Sequence, residues 1–114
     1  MRFLGNIEGK ADSKGRVFLP SVFRKELQMG GSESLVLRKD VFQHCLVLYP
    51  EAVWNEMMDT MRRKLNRWNP HEQQVFRQLV SEAEAVTLDG HGRFLLTRRA
   101  KEFAGICSQV AFIG

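Results

Sequence analysis

The sequence predicts an α+β fold, mainly β, built from two internal repeats on either side of a pair of helices. Three observations support this prediction. The pattern Asp-x-x-Gly-Arg occurs twice, as "DSKGR" at residues 12–16 and as "DGHGR" at residues 89–93. Short apolar runs flank both copies, and such runs are typical of β-strands. Between the copies, apolar residues recur every three or four positions, which indicates amphipathic helices.

The similarity between the two copies extends beyond the motif. The segments "ADSKGRVFLPSVFRKEL" and "LDGHGRFLLTRRAKEFA" can be aligned with Asp12 on Asp89. This alignment pairs Leu19 with Leu96 and Arg24 with Lys101. In each copy an extended run enters a turn that contains glycine, and a second apolar run leaves it. This arrangement predicts a β-hairpin in each repeat.

The elements of each repeat follow from local signals. The first repeat should contain strands at "NIEGKA" and "RVFL", a helix at "PSVFRKEL" opened by Pro20, and strands at "SLVLR" and "CLVLY". The second should contain strands at "EAVTL" and "RFLL", a helix at "TRRAKEFA" with Thr97 as its N-cap, and a strand at "QVAFI". Gly30 and Gly105 follow the two helices as stop signals. With the two helices between the repeats, the predicted order is ββαββ, αα, ββαβ.

Two helices are predicted between the repeats. The first follows Pro50 and has an apolar stripe formed by Val53, Met57, Met61, Leu65 and Trp68. The second should begin at "NPHE", where Asn69 can cap, Pro70 lies in the first turn and Glu72 stands three residues after the cap. Its apolar face contains Val75, Phe76 and Leu79. We expect both faces to be core or subunit contact, not a cofactor site.

The charge distribution favours a polyanionic partner. The 114 residues include 17 Lys and Arg against 13 Asp and Glu, which gives a net charge of +4. Residues 31–82 carry seven charges of each sign, so the excess lies in the segments that hold the repeated motif. With neither a signal peptide in "MRFLGNIEGK" nor a membrane span, we expect a cytoplasmic protein with Cys45 and Cys107 as small core residues.

The repeated turn has a structural and a functional interpretation. Asp12 can accept hydrogen bonds from its own turn, Gly15 can adopt a positive φ, and Arg16 can pair with the aspartate. The basic side chains of Lys10, Lys14 and Arg16 also suit the phosphates and the major groove of double-stranded DNA. Because the motif occurs twice with basic residues around it, DNA binding becomes the favoured function.

Three segments carry a resemblance to a known family: "GNIEGKADSKGRVFLPSVFRKEL", "CLVLYPEAVW" and "AEAVTLDGHGRFLLTRRAKEFAGI". They resemble the MraZ family of bacterial transcriptional regulators, within the AbrB-like swapped-hairpin proteins. One Asp-x-x-x-Arg motif is a weak signal, but two such motifs with a helical insert and "LYP" between them are a strong one. The resemblance implies a swapped-hairpin or double-psi-type barrel. Residues 1–49 and 83–114 would be SpoVT-AbrB-like repeats, and residues 50–82 a helical insertion.

The same resemblance implies a function. It implies a sequence-specific regulator, without a cofactor, that binds repeated promoter elements of the division and cell wall gene cluster. The partners would be double-stranded DNA and further copies of the chain in a ring, in the cytoplasm and associated with the nucleoid, with no membrane or small-molecule substrate. The residues expected at the DNA are Lys10, Lys14, Gly15, Arg16, Arg24, His91, Gly92 and Arg93. Asp12 and Asp89 are expected to organise the turns.

Two departures from the family pattern affect the second repeat and the end of the chain. His91 stands where the first turn has Lys14, and Thr97 stands where the first helix has Pro20. We therefore expect the second hairpin to bind DNA more weakly than the first. The family continues beyond the final "FIG" into an aromatic, acidic segment, so we expect a truncated chain or a naturally short member.

Other functions remain open at this point. An antitoxin of the same fold, or an assembly module, is one alternative, although such antitoxins carry one hairpin per chain. A self-processing pyruvoyl enzyme could use the Gly-Ser pair at residues 31–32, but a loop after a helix explains that pair more simply, and we expect no enzyme. A metal site is disfavoured because His44 and Cys45 would face opposite ways on a strand. His71 and His91 also lack partners at ligand spacing.

Overall fold

The structure is a computed structural model that describes residues 3–31, 33–40, 42–106 and 108–113. Seven strands and four helices lie in this part of the chain. In chain order they are β1 (Asn6–Lys10), β2 (Arg16–Phe18), α1 (Ser21–Met29), β3 (Ser34–Lys39), β4 (Leu46–Pro50), α2 (Glu51–Lys64), α3 (Pro70–Glu82), β5 (Glu84–Thr87), β6 (Arg93–Leu95), α4 (Arg98–Ala104) and β7 (Gln109–Ile113). The order predicted from the sequence is confirmed.

The strands form small antiparallel sheets in which the two ends of the chain pair with each other. β1 pairs with β7, so that Asn6 lies opposite Ile113. β2 pairs with β6, with Val17 opposite Phe94. In the third sheet β3 lies between β4 and β5. Strands from the two predicted repeats are therefore interleaved in all three sheets.

The predicted hairpins are wrong in their pairing. In the described part of the chain, one isolated bridge, Ala11 to Val17, joins the two arms of the first turn, and β5 and β6 belong to different sheets. The strands that leave the two turns, β2 and β6, pair instead with each other. The physical reason is burial, because β2 and β6 both have a core-facing residue and come from different repeats. Side by side, they place Val17 and Phe94 together in the core.

Alternation along β2 and β6 separates a core face from an outer face. Val17 and Phe94 point into the core, whereas Phe18 and Leu95 are 57% and 58% exposed. The core cluster draws on both ends of the chain and contains Ala11, Val17, Leu19, Phe23, Leu27, Leu35, Leu37, Leu88, Phe94, Leu96 and Ala100. Neither half encloses this cluster alone, so the two halves share one core.

The two short helices begin and end close to their predicted positions. Pro20 is the N-cap residue of α1, with extended backbone. At the start of α4, Thr97 Oγ1 accepts a hydrogen bond from the backbone N–H of Ala100 at 3.2 Å. Gly30 and Gly105 are the C-cap residues, and Gly105 adopts a left-handed φ of 68°. Each helix is thereby held directly behind one of the repeated turns.

The first helix of the insertion is shorter than predicted. α2 ends at Lys64, and Leu65 is already extended, so Trp68 lies beyond the helix and is 84% exposed. The buried side chain of α2 is Trp54, which stands outside the predicted stripe. Its ring packs against that of Tyr49, with the centroids 5.6 Å apart. This contact attaches α2 to β4.

The second helix of the insertion is capped by the predicted residue. Asn69 Oδ1 accepts hydrogen bonds from the backbone N–H groups of His71 and Glu72, at 3.0 and 3.2 Å. The carboxylate of Glu72 accepts from the backbone N–H of Asn66 at 2.8 Å, so it closes the loop before the helix instead of a capping box on Asn69. The loop between α2 and α3 is therefore tied to the helix that follows it.

The apolar faces of the insertion are incompletely covered. No side chain of α3 is buried, and Val75 on its predicted apolar face is 51% exposed. On α2, a groove of about 460 Å³ is lined by Val53, Glu56, Met57, Thr60, Met61, Lys64 and Leu65. No helix of the described residues is long and apolar enough to cross a bilayer.

Candidate nucleic-acid interface

The first Asp-x-x-Gly-Arg segment, residues 12–16, forms a tight turn that we call the first tip. Asp12 Oδ1 accepts hydrogen bonds from the backbone N–H groups of Lys14 and Arg16, both at 2.9 Å. Asp12 Oδ2 accepts a hydrogen bond from Arg16 Nε at 2.7 Å. The backbone N–H of Gly15 donates to the carbonyl oxygen of Asp12 at 3.0 Å. One carboxylate therefore fixes both the backbone of the turn and its arginine.

The second segment, residues 89–93, repeats this geometry and is called the second tip. Asp89 Oδ1 accepts from the backbone N–H groups of His91 and Arg93, at 2.8 and 2.9 Å. Asp89 Oδ2 accepts from Arg93 Nε at 2.8 Å. The Gly92 N–H donates to the Asp89 carbonyl at 3.0 Å. The two tips thus have the same internal hydrogen bonds.

These hydrogen bonds stabilise the ionised form of each aspartate. The backbone N–H of Arg93 is the main cause that lowers the pKa of Asp89 from 3.8 to about 2, and it outweighs an opposing loss of hydration. The N–H of His91 and the Arg93 side chain lower this pKa further. The backbone N–H of Arg16 is likewise the main cause that lowers the pKa of Asp12. Both tips therefore contain a carboxylate that offsets the charge of their own arginine.

The glycines of the two tips are buried against the opposite repeat. Gly15 and Gly92 adopt φ values of 84° and 78°, which favour glycine. The backbone N–H of Leu96 donates to the Gly15 carbonyl at 2.8 Å, and that of Leu19 donates to the Gly92 carbonyl at 3.0 Å. Each tip is thus hydrogen-bonded to the residue that follows the strand of the other tip.

A helix cation from the opposite repeat covers each tip glycine. A Cβ atom on Gly15 would lie 2.9 Å from the Leu96 carbonyl oxygen and 3.3 Å from Lys101 Nζ. A Cβ atom on Gly92 would lie 2.8 Å from Arg24 Nη1. The repeat alignment places Arg24 on Lys101, so the two contacts are equivalent and reciprocal.

The cations predicted to contact DNA are accessible to different degrees. Lys10, Lys14 and His91 are exposed. The side chains of Arg16 and Arg93 remain 37% and 22% exposed despite their ion pairs. In the β2–β6 ladder Arg16 lies opposite Leu95 and Arg93 lies opposite Phe18. All four residues occupy the outer face of this two-stranded ribbon, which therefore ends in a tip on each side.

Three of the residues that are predicted to contact DNA make contacts within the protein. The burial of Gly15 and Gly92 means that the close approach they permit is to the opposite repeat. Arg24 packs on Gly92, and its Nη2 lies 3.6 Å from a carboxylate oxygen of Glu33. Its Nε is buried without a hydrogen-bond partner among the described residues. These three residues hold the tips in position.

Sequence reasoning missed three residues at this surface. Phe18 and Leu95 stand between the two tip arginines on the outer face of the ribbon, and the guanidinium of Arg93 lies 5.7 Å from the centre of the Phe18 ring. Lys101 covers Gly15 from the other repeat. The alternation of β2 and β6 could have indicated Phe18 and Leu95. The alignment with Arg24 could have indicated that Lys101 belongs to a tip.

The histidine and cysteine positions do not form a metal site in the described part of the chain. No group of three or more His, Cys, Asp or Glu side chains that could hold a metal ion occurs there. His44 and Cys45 are both exposed ahead of β4, and the His44 ring packs edge-on against Phe103. The prediction that Cys45 is a core residue is therefore wrong, because β4 begins one residue later. Cys107, like residue 32 of the Gly-Ser pair, lies outside the described residues.

Comparison with known proteins shows the family of this chain. The model of the MraZ protein family, described as antitoxin-like, matches residues 3–78. Proteins named transcriptional regulator MraZ are similar over the whole chain. That of Bacteroides fragilis is 58% identical over 114 residues, or 72% of its length, and that of Phocaeicola vulgatus is 61% identical over 114 residues, or 74% of its length. The chain belongs to the MraZ family.

The match to a more distant MraZ relative spans both tips. The transcriptional regulator MraZ of Escherichia coli K12 is 33% identical over 103 residues, which are 90% of this chain and 67% of that protein. The family match at residues 3–78 includes the first tip and most of the helical insertion. The matches to B. fragilis and P. vulgatus MraZ cover the second tip as well.

We expect Gly15→Ala to lower the free energy of unfolding by about 1–3 kcal/mol, because alanine is strained at positive φ. Its Cβ would also press against the Leu96 carbonyl oxygen. Gly90→Ala is the matched control, since Gly90 lies in the other tip with open space around it and no positive φ. Urea unfolding followed by circular dichroism measures both. Equal stabilities of the two variants would contradict the structural role of Gly15.

The lowered pKa of Asp89 predicts a pH dependence of stability. The folded pKa of about 2 lies below the unfolded value of about 3.9, so the carboxylate stabilises the fold above pH about 4. This contribution is lost as the pH falls towards about 2. We expect the urea midpoint of the parent to fall more steeply over this range than that of Asp89→Asn. Parallel curves for the two proteins would refute the assignment.

Proposed function

We propose that this chain is a DNA-binding transcriptional regulator that contacts double-stranded DNA through its two tips. The observation that carries this proposal is the β2–β6 ribbon, whose outer face has an arginine from a tip near each end. Similar proteins from B. fragilis and P. vulgatus are named as transcriptional regulators and not as enzymes. These names favour a binding protein over the pyruvoyl enzyme considered from the sequence.

The two-stranded form of the β2–β6 ribbon suits the major groove of B-DNA, which admits a two-stranded β-ribbon. Arg16 and Arg93 lie two residues apart in the ladder register, and Phe18 and Leu95 complete the outer face between them. The Nε atom of each arginine is occupied by its aspartate. The terminal nitrogens can then donate to guanine or to phosphate from a fixed position.

The other residues at the tips support this contact in different ways. Lys14 and Lys10 are exposed cations that suit phosphates. His91 takes the position of Lys14 in the second tip, and we propose that the second tip binds more weakly for this reason. Gly15 and Gly92 keep the tips close to the opposite repeat. Arg24, Asp12 and Asp89 are assigned to positioning.

We further propose that the fold is a swapped-hairpin barrel of the AbrB-like type. Its repeats would be residues 1–49 and 83–114, with residues 50–82 as the helical insertion. The interleaved pairing of β1 with β7 and of β2 with β6 supports this proposal. The equal hydrogen bonding of the two tips supports the division into repeats.

The regulator is proposed to act as a homo-oligomeric ring on repeated promoter elements of the division and cell wall gene cluster. We place it in the cytoplasm, associated with the nucleoid. Two tips offer few contacts to DNA, so several subunits on spaced repeats would gain affinity by avidity. The groove on α2, with Met57 and Met61 in its lining, supplies an incompletely covered apolar face for subunit contact.

We expect Met61→Glu to shift the protein towards monomers, because a carboxylate in an apolar contact loses hydration. Asn55→Glu introduces the same side chain at an exposed position of α2 and is the matched control. Light scattering coupled to size exclusion measures the molar mass of the parent and both variants. A monomeric parent that binds a single site tightly would refute the ring.

We expect Arg16→Ala to lose DNA affinity while the fold is retained. Loss of a bidentate contact costs about 1–3 kcal/mol per site, and an oligomer multiplies this loss. The measurement is fluorescence anisotropy with a duplex from upstream of the protein's own gene and a scrambled duplex, at two salt concentrations. Arg77→Ala on α3 is the control, because it removes an exposed arginine from the insertion. A folded Arg16→Ala protein with parental affinity would disprove the assignment.

An antitoxin remains the second candidate, because the family description reads antitoxin-like. An antitoxin of this fold would also bind DNA, mainly at its own promoter, but it would need a toxin partner. Two tips on one chain favour the regulator. Tight binding of the purified chain to promoters outside its own operon would exclude a function limited to autoregulation.

A further inference from the structure

We propose that Lys101, although it lies in the second repeat, contacts a DNA phosphate as part of the first tip. The first tip would then be a composite surface formed by Lys14, Arg16 and Lys101. This inference rests on the proposed DNA binding and adds a residue that the repeated motif does not contain. It also assigns the two tips unequal charge.

The position of Lys101 follows from the crossing of the two repeats. Its Nζ lies 3.3 Å, and its Cε 3.6 Å, from the point that a Cβ atom on Gly15 would occupy. The ammonium group therefore packs against the first tip at Gly15. Lys101 is only partly buried, and a lysine that packs on the protein can keep its ammonium group hydrated.

In the described part of the chain, no ion pair compensates the charge of Lys101. Among the residues that the structure describes, the ion pairs join Arg16 to Asp12, Arg93 to Asp89, Arg24 to Glu33, Arg38 to Asp40 and Arg98 to Glu102. Neither Lys14 nor Lys101 takes part in one of them. The first tip therefore combines one neutralised arginine with two cations that are available to an anion.

The second tip has the same architecture with a different charge balance. Its covering cation is Arg24, which Glu33 partly neutralises at 3.6 Å. Its arginine is paired with Asp89, and His91 replaces the lysine of the first tip. Because each helix cation covers the tip of the opposite repeat, Lys101, which has no ion pair in the described residues, lies at the first tip. The first tip already has Lys14 where the second has His91. If each helix cation covered the tip of its own repeat instead, the two tips would have nearly equal net charge.

A lysine suits this position chemically. Phosphate contacts are largely Coulombic, and an ammonium group on a flexible stem satisfies them without the planar fork that base recognition needs. Lys101 packs on Gly15, the residue before Arg16, and Asp12 holds the Arg16 side chain in one orientation. The composite tip therefore offers one oriented guanidinium with two flanking phosphate ligands.

The test is the salt dependence of binding to a short fluorescein-labelled duplex of scrambled sequence, which reports phosphate contacts. Each phosphate neutralised contributes about 0.9 to the slope of log affinity against log salt. We expect Lys101→Gln to flatten this slope by about 0.9 for each tip engaged, and Lys101→Arg to restore it. Arg24→Gln should change the slope less. Arg77→Gln, at an exposed position of α3 outside the α2 groove, should leave it unchanged.

The outcomes separate this inference from the proposed function. If Arg16→Ala weakens binding but Lys101→Gln keeps the parental slope, Lys101 is not a phosphate ligand and the proposed function stands. If the parent shows no salt-dependent binding to any duplex, both fail. Where Lys101→Gln does not fold, Lys101→Met keeps the stem over Gly15 and replaces it in the same measurement.

Discussion

The reciprocal hydrogen bonds between the two repeats are the constraint on which the rest of the structure depends. The residue after β2 donates to the glycine of the second tip, and the residue after β6 donates to the glycine of the first. Each tip therefore packs against the other repeat, and Gly15 and Gly92 allow this close approach. Val17 and Phe94, one from each repeat, meet in the shared core. Duplication thus produces one interlocked unit.

The same crossing determines the electrostatics of the proposed DNA surface. Each aspartate ties its arginine to the turn, which orients the guanidinium but also offsets its charge. The net attraction for a polyanion therefore depends on the cations without such a partner. Arg24 of the first repeat covers the second tip, and Lys101 of the second repeat covers the first tip. Of these two cations, Arg24 forms an ion pair with Glu33. The two tips therefore have the same backbone hydrogen bonds but a different net charge.

Local signals predicted the elements well, and tertiary interactions account for what they missed. Proline, Thr97, Asn69 and the cap glycines act within a few residues, so the element order and the helix boundaries next to these residues could be read directly, whereas the end of α2 could not. Strand pairing depends on which partner buries more apolar surface, and the sequence near each turn favoured a hairpin that the fold replaces by the β2–β6 pair. Trp54 and the exposed Cys45 were missed for a similar reason, because burial there depends on contact with β4 and on where that strand begins. At the proposed site the motif residues could be predicted, whereas Lys101 reaches the first tip only through the folded chain.

The most direct test of the central claim is a map of the DNA-contacting surface by NMR. Backbone amide shifts of the isotope-labelled protein would be followed as a duplex from upstream of its own gene is added. We expect the largest perturbations on residues 12–18 and 89–95 and on Lys101, with the first tip affected at lower DNA concentration than the second. Perturbations confined to α2 and α3, with both tips unchanged, would contradict it.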